Sequence, residues 1–236
     1  MNKPSISLAI PAYNEEKNIE LAVQSAIKGM GDRFSSYEII IVNDGSSDAT
    51  GEIIDRLAKA NPSIKAVHHE KNRGMGESLW TGFKLATKEY VGSYPGDDGL
   101  EIVTWGEMLD LLGQADVVCY SIKNPEFRPW RRRIVSWLFV KMLNIVFNLS
   151  VDYYNGHAIY RREDIQSLKL ITGGHTLLSE CLIRLLKRGR TLKMIPTLQI
   201  ERKFGNTKAF TLKNFIAVYN LVFKLPLALR AENNQR

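Results

Sequence analysis

Cysteine is nearly absent. Two thiols, Cys119 and Cys181, are spread over 236 residues, and both lie in apolar segments. So few thiols exclude a disulfide-scaffolded fold and lead us to expect a reducing, cytoplasmic setting. A long hydrophobic run is missing too. The nearest approach, Ile134 to Leu149, carries one charge, Lys141. As a helix it would reach roughly 24 Å, short of the ~30 Å hydrocarbon core of a bilayer. The apolar stretch near the start is too short for a secretory core and runs into acids, so we expect no signal peptide. No internal repeat and no low-complexity tract is present, which excludes solenoid and fibrous architectures. Asn148-Leu149-Ser150 matches a glycosylation sequon, which has no meaning in a cytosolic chain.

What is present is ordinary in amount. The hydrophobic fraction of 44% and charged fraction of 24% suit a globular protein. The length suits one large α/β domain, and two would be cramped. A formal charge of +7 favours anionic partners such as nucleotides, phosphates, anionic lipid or nucleic acid. An ordinary basic protein would carry the same charge.

The first half alternates short β-rich runs with helical periodicity. Strands are expected over 5–10, 37–42, 64–69, 89–94 and 115–120. Helices are expected over 16–30, with Ile19, Val23, Ala26 and Ile27 on one face, then over 48–60, 74–88 and about 103–112. Ser47 or Asp48 would cap the second. This order predicts a mostly parallel sheet with helices on both faces. Ligands bind such sheets at the carboxyl ends of the strands. Four polar segments fall there: "PAYNEE", "NDGSSD", "EKNRGMGE" and "PGDDG".

The second half differs. Residues 129–150 form a long helix that is apolar around most of its circumference, with Arg131, Arg132 and Arg133 at its start. Lys141, Asn144 and Asn148 make a narrow polar stripe. Residues 210–230 form a second such segment, which Pro226 should bend or end. Both read as amphipathic helices able to rest at a membrane interface, or as core or dimer-interface helices.

Each motif has two readings. Asp44 sits where a buried strand ends and could accept hydrogen bonds from a ribose or base; it could equally serve a plain Asx turn with Gly45. Pro11 ends its strand, and Tyr13 and Glu15 follow in a loop, where Glu15 and Glu16 could be first-turn acids of the next helix. Asp97 and Asp98 could hold a metal ion or belong to a polar turn.

Taken together, "PAYNEEKNI", "YEIIIVNDGSSDAT", "NRGMGESLWTGFKLA" and the carboxylate loop resemble the family 2 glycosyltransferases of the GT-A fold. "VDYYNGHAIYRRE" and "ERKFGNTK" resemble the later segments of the dolichyl-phosphate mannose synthase branch and its bacterial polyprenyl-phosphate relatives. The resemblance spans about residues 4–225. It implies a GT-A, Rossmann-like α/β fold, with a catalytic domain over 1–209 that includes the 130–149 helix, and a C-terminal helix and tail over 210–236. It implies that Asp44, Pro11, Tyr13, Glu15 and Gly74 line the nucleotide pocket. Asp97 falls on the second acid of the family's metal motif, and the first falls on Pro95; Asp98 compensates, so Mg²⁺ or Mn²⁺ is the expected cofactor. Arg202 and Lys208 match a phosphate-neutralising pair. Asp152, Asn155 and Gly156 match the acceptor segment, with His157 and Ala158 in place of its usual aromatic and basic residues; His157 reads as a packing or loop residue. Glu180 matches a common acid position, as a catalytic group or as half of a structural ion pair.

The implied reaction is inverting, metal-dependent transfer from a nucleotide-diphosphate sugar to a polyprenyl phosphate. The implied location is peripheral, at the inner face of the cytoplasmic membrane. A saccharide hydroxyl acceptor, with Asp152 or Glu180 as base, is the alternative within the same chemistry. A catalytically silent nucleotide-sugar binding protein is the alternative outside it. No nucleic-acid partner is expected; a homo-oligomer is compatible with the sequence.

Overall fold

The computed structural model of the chain describes residues 3–123, 129–197 and 212–233. In chain order the elements are β1 (Ser5–Ala12), α1 (Ile19–Met30), β2 (Ser36–Asn43), α2 (Thr50–Ala60), β3 (Ile64–His68), α3 (Met75–Leu85), β4 (Tyr90–Ser93) and α4 (Ile102–Asp110). There follow β5 (Val117–Ile122), α5 (Trp130–Phe147), β6 (Ala158–Arg161), α6 (Arg162–Gln166), a 3₁₀ turn (Gly174–Thr176), α7 (Leu177–Lys187) and β7 (Leu192–Thr197). The described chain closes with α8 (Leu212–Tyr219), a π-helical turn (Asn220–Lys224) and α9 (Leu225–Asn233).

Seven strands form one sheet in the order β3-β2-β1-β4-β6-β5-β7. All pair in parallel except β6, which runs against both β4 and β5. The central strands are apolar on both sides, and alternation sends their side chains to two cores. Ile6, Leu8, Ile10, Ile39 and Ile41 pack with Ile19, Val23, Ile54 and Trp105 of α1, α2 and α4. Ala9, Ile40 and Val42 pack with Leu79, Phe83, Leu143 and Leu182 of α3, α5 and α7 on the other face.

The strand order fixes where a ligand can enter. From β1 the chain steps outward to β2 and β3, then returns to place β4 on the opposite side of β1. The connections on the two sides of β1 diverge there, and in sheets of this kind ligands bind at the carboxyl ends of the strands flanking such a divergence.

Four features differ from the sequence expectations or extend them. Strand β1 does not stop at Pro11 but runs to Ala12, paired with Asn43. The Ala9 carbonyl accepts the Tyr94 N–H on the β4 side, and Pro11 faces the same side two residues on. Because β4 ends at Ser93, proline's missing N–H leaves no ladder bond unmade. Strands β6 and β7 were not foreseen, the first because it is four residues inside a motif, the second because Lys193 and Pro196 interrupt it. Within the polar stripe of α5, Asn144 turns inward: its amide bonds both backbone groups of Val151, at 3.0 and 3.1 Å, and accepts the Tyr154 hydroxyl at 2.7 Å. Of the two outcomes open for Pro226, ending the helix is excluded, since it continues to Asn233. The wider π turn just before α9 leaves room for the ring and the absent N–H.

Candidate active site

The loops after β1 and β2 are laced together. Asn14 adopts a left-handed φ of 56°. From there its N–H donates to Ser46 Oγ at 3.0 Å and its Oδ1 accepts the Ser47 N–H at 2.9 Å. Glu16 accepts the Ala49 N–H at 3.1 Å, and the Glu15 N–H donates to Thr50 Oγ1 at 2.8 Å. These bonds set the height of Tyr13, which stands exposed on the rim, and of half-buried Pro11 below it.

Asp44 closes the floor on the other side. It is buried, and its bonds run to a distant loop: Oδ2 accepts the Gly74 N–H at 2.7 Å, and Oδ1 accepts the Arg73 N–H at 2.9 Å. Oδ1 also pairs with His69 Nδ1 at 2.8 Å. The Asx turn here belongs to Asn43, whose Oδ1 accepts the Ser46 N–H at 3.0 Å. Gly74 has φ 99° and ψ 154°, a conformation open to glycine, and it leads directly into α3.

The carboxylate loop after β4 is pinned to the end of β1. A β-carbon on Gly96 would lie 2.3 Å from the Pro11 carbonyl oxygen, so only glycine lets the two strand ends meet. Asp97 and Asp98 follow, both half-buried, with Asp98 at a left-handed φ of 54°. The Gly99 N–H donates to Asp97 Oδ1 at 3.2 Å. Beneath them the buried Tyr94 hydroxyl donates to the Leu100 carbonyl at 3.0 Å and approaches Asp98 Oδ1 at 3.4 Å. Burial and the Asp98 charge push the Tyr94 phenol up, so it stays a donor. Among the described residues no group of three or more His, Cys, Asp or Glu forms a ready-made cage. Two adjacent carboxylates at a strand end fit a hard divalent cation whose remaining ligands are phosphate and water oxygens.

His157 opens β6 opposite this loop. It is buried, with Nδ1 3.0 Å from Ser93 Oγ, and burial pulls its imidazole down to about 4 while the Asp97 charge opposes the fall. It is therefore neutral and structural, the packing role expected of it. Beyond β5 lies a cavity of about 610 Å³, lined by Ser121, Ile122, Tyr153, Asp152 and one face of α5: Trp130, Arg133, Ile134, Ser136, Trp137 and Val140. The Tyr153 ring lies 6.1 Å from that of Tyr120. Burial pushes the Tyr120 phenol up.

Glu180 stands elsewhere. It is fully buried on α7, bonded to Arg184 Nε at 2.6 Å and to the Ile171 and Thr172 N–H groups. Of the two readings open for it, the structure holds the ion pair. Arg202 and Lys208 lie outside the described residues.

Residues 7–169 match the family described as glycosyl transferase family 2. This chain belongs to that family. It is 38% identical over 95 residues to the uncharacterized glycosyltransferase EpsJ of Bacillus subtilis, a match covering 40% of this chain and 26% of EpsJ. It is 23% identical over 210 residues to an undecaprenyl-phosphate mannosyltransferase of Micrococcus luteus, covering 84% and 85% of the two chains. Among solved structures it resembles glucosyl-3-phosphoglycerate synthase of Mycobacterium tuberculosis in complex with Mn²⁺, UDP-glucose and phosphoglyceric acid. That likeness has a TM-score of 0.69 at 20% identity and covers 96% of this chain and 79% of the other. It establishes the fold as GT-A. Three parts of this glycosyltransferase's site escaped sequence reading: the Asn14–Ser47 lacing, the His69 contact with Asp44, and the α5 wall of the cavity. The α5 wall had a signal, since Trp130, Arg133, Ile134 and Trp137 follow helical spacing.

Proposed function

We propose that this family 2 glycosyltransferase moves a sugar from a nucleoside-diphosphate sugar to a polyprenyl phosphate, as a peripheral protein at the inner face of the membrane. The names of its relatives support the acceptor class, and the UDP-glucose complex of its structural neighbour supports the donor class. The nucleoside end of the donor lies against the Asp44–Gly74 turn, between Pro11, Tyr13 and Glu15. Asp97 and Asp98 would hold Mg²⁺ or Mn²⁺, whose charge, when bound, stabilises the departing diphosphate. Arg202 and Lys208 are assigned to the same phosphates.

One oxygen of the acceptor phosphate attacks the anomeric carbon from the face opposite the diphosphate. The new C–O bond forms as the bond to the β-phosphate oxygen breaks, its electron pair leaves with the diphosphate, and the configuration inverts. The phosphate is already an anion, so no general base is needed.

One observation carries the lipid acceptor: α5 walls the cavity and turns a second, apolar face outward. It buries only Leu143 and Phe147, while Leu138 and Ile145, which do not line the cavity, are 53% and 79% exposed. Phe215, Ile216, Tyr219 and Phe223 of the C-terminal helices are exposed as well. No helix among the described residues is long and apolar enough to cross a membrane. Such faces suit the interface plane, with Arg131, Arg132 and Arg133 contributing about 1 kcal/mol each against an anionic surface. The second reading, a saccharide hydroxyl acceptor, has its own observation: exposed Asp152 lies in the cavity beside aromatic rings and could act as its base.

The test is a transfer assay with several nucleotide sugars on anionic liposomes carrying polyprenyl phosphate, beside soluble oligosaccharides. Transfer to the liposomes, with flotation lost in high salt or when the three arginines become glutamine, is the expected result. Transfer only to oligosaccharide, without flotation, would move the acceptor to the second reading.

A further inference from the structure

A buried ion-pair cluster on α7 joins two regions that the reaction treats separately. The Arg184 side chain is 1% exposed. Its Nε donates to Glu180 Oε1 at 2.6 Å, and its Nη1 donates to Glu232 Oε1, on α9, at 2.7 Å. Its Nη2 has no acceptor among the described residues. A guanidinium so placed depends on both carboxylates staying where they are.

Glu180 has a second set of bonds. It accepts the Ile171 N–H at 3.0 Å and the Thr172 N–H at 2.7 Å, fixing the segment that enters the 3₁₀ turn. That turn rests on the first turn of α3. A β-carbon on Gly76 would lie 2.2 Å from the Gly174 carbonyl oxygen, so the two backbones touch with nothing between them. Two residues before Gly76, the Gly74 N–H is the group held by Asp44. Helix α8 packs against the same 3₁₀ turn. An unbroken line of contacts thus runs from Glu232 through Arg184, Glu180 and Gly174 to the turn assigned above to the donor.

We propose that Arg184 and Glu232 are positioning residues for the transfer reaction: the seating of the C-terminal helices on α7 sets the 171–174 segment, and through it the Arg73–Gly74 turn. Neither side chain touches donor or acceptor. The proposal rests on the donor reading for its effect on catalysis, but the mechanical link stands independently of it.

The test uses the full chain with Glu232→Gln, a change at a residue whose side chain is one-third exposed. Amide hydrogen exchange at Arg73 and Gly74 is expected to quicken. The donor KM is expected to rise on the order of 5- to 10-fold with kcat little changed, the usual size of a coupling between sites. Glu232→Asp should restore the protection of Gly74. Gly76→Ala, which pushes the 3₁₀ turn off α3 from the other end of the line, should likewise quicken exchange at Gly74. Faster exchange confined to 212–233, with Arg73 and Gly74 unchanged, overturns the coupling. If UDP with Mn²⁺ binds neither wild type nor variant by calorimetry, the donor reading falls, and exchange at Gly74 still decides the coupling.

Discussion

The Asp44 carboxylate and the Gly74 backbone N–H stand 2.7 Å apart, joining the end of β2 to the residue that opens α3 across thirty positions of sequence. A buried carboxylate that accepts backbone N–H groups is a strong organiser, because each bond is charge-assisted. Asp44→Ala would free the Arg73 and Gly74 N–H groups together and remove the Nδ1 partner of His69. We expect nucleoside-diphosphate affinity to fall by about 1–3 kcal/mol, the scale of hydrogen bonds to a charged group. Titration calorimetry measures this directly, and an unchanged affinity would reduce Asp44 to a scaffold for its loop.

Asp97→Asn keeps the size of the side chain and its ability to accept the Gly99 N–H, which now lies 3.2 Å from Oδ1. It removes a charge from the pair of carboxylates that fit a divalent cation. Transfer should drop on the order of 100-fold or more, as when an electrostatic stabiliser of a leaving group is lost. The melting temperature should stay close to that of the wild type. Wild-type activity should vanish in EDTA and return with Mn²⁺ or Mg²⁺. Full activity of the Asn variant in EDTA is the result that would end the metal role.

Away from the site, Glu38 predicts how stability responds to acid. Burial pushes its carboxyl up, but hydrogen bonds from Lys65 at 2.6 Å, Ser7 at 2.6 Å and Thr87 at 2.7 Å outweigh it and hold the group at about 2. A carboxyl lowered in the folded state contributes stability above its unfolded value of about 4.5, lost as pH falls toward 2. The contribution is of order 2–3 kcal/mol. Urea unfolding at pH 7, 4.5 and 3 should show wild type losing this margin below 4.5. Glu38→Gln should be less stable at pH 7 and flatter across the range. Parallel pH profiles for the two proteins would show that Glu38 does not carry the effect.

The alternation of apolar runs was enough to read the first five strands, the helices between them and a mostly parallel sheet, because buried strands and amphipathic helices each impose a local period. The carboxylate loop and the polar turns were visible for the same reason, since they interrupt those periods where strands end. Local pattern could not show β6 and β7. Each owes its pairing to strands far back in the chain, β6 to β4 and β5, and β7 to β5 seventy-five positions earlier.

The sequence by itself determined a family 2 glycosyltransferase with carboxylates placed at strand ends. Only the tertiary structure decided what each acid does. Asp44, Asp97 and Glu180 are the same kind of group in the sequence, each a carboxylate beside a helix or turn. Asp44 is bound to a loop thirty residues away, Asp97 lies on the loop pinned to the carboxyl end of β1, and Glu180 is committed to a buried arginine. A carboxylate's role follows from which N–H groups, cations and solvent surround it, and those neighbours are assembled by long-range packing that no local pattern encodes.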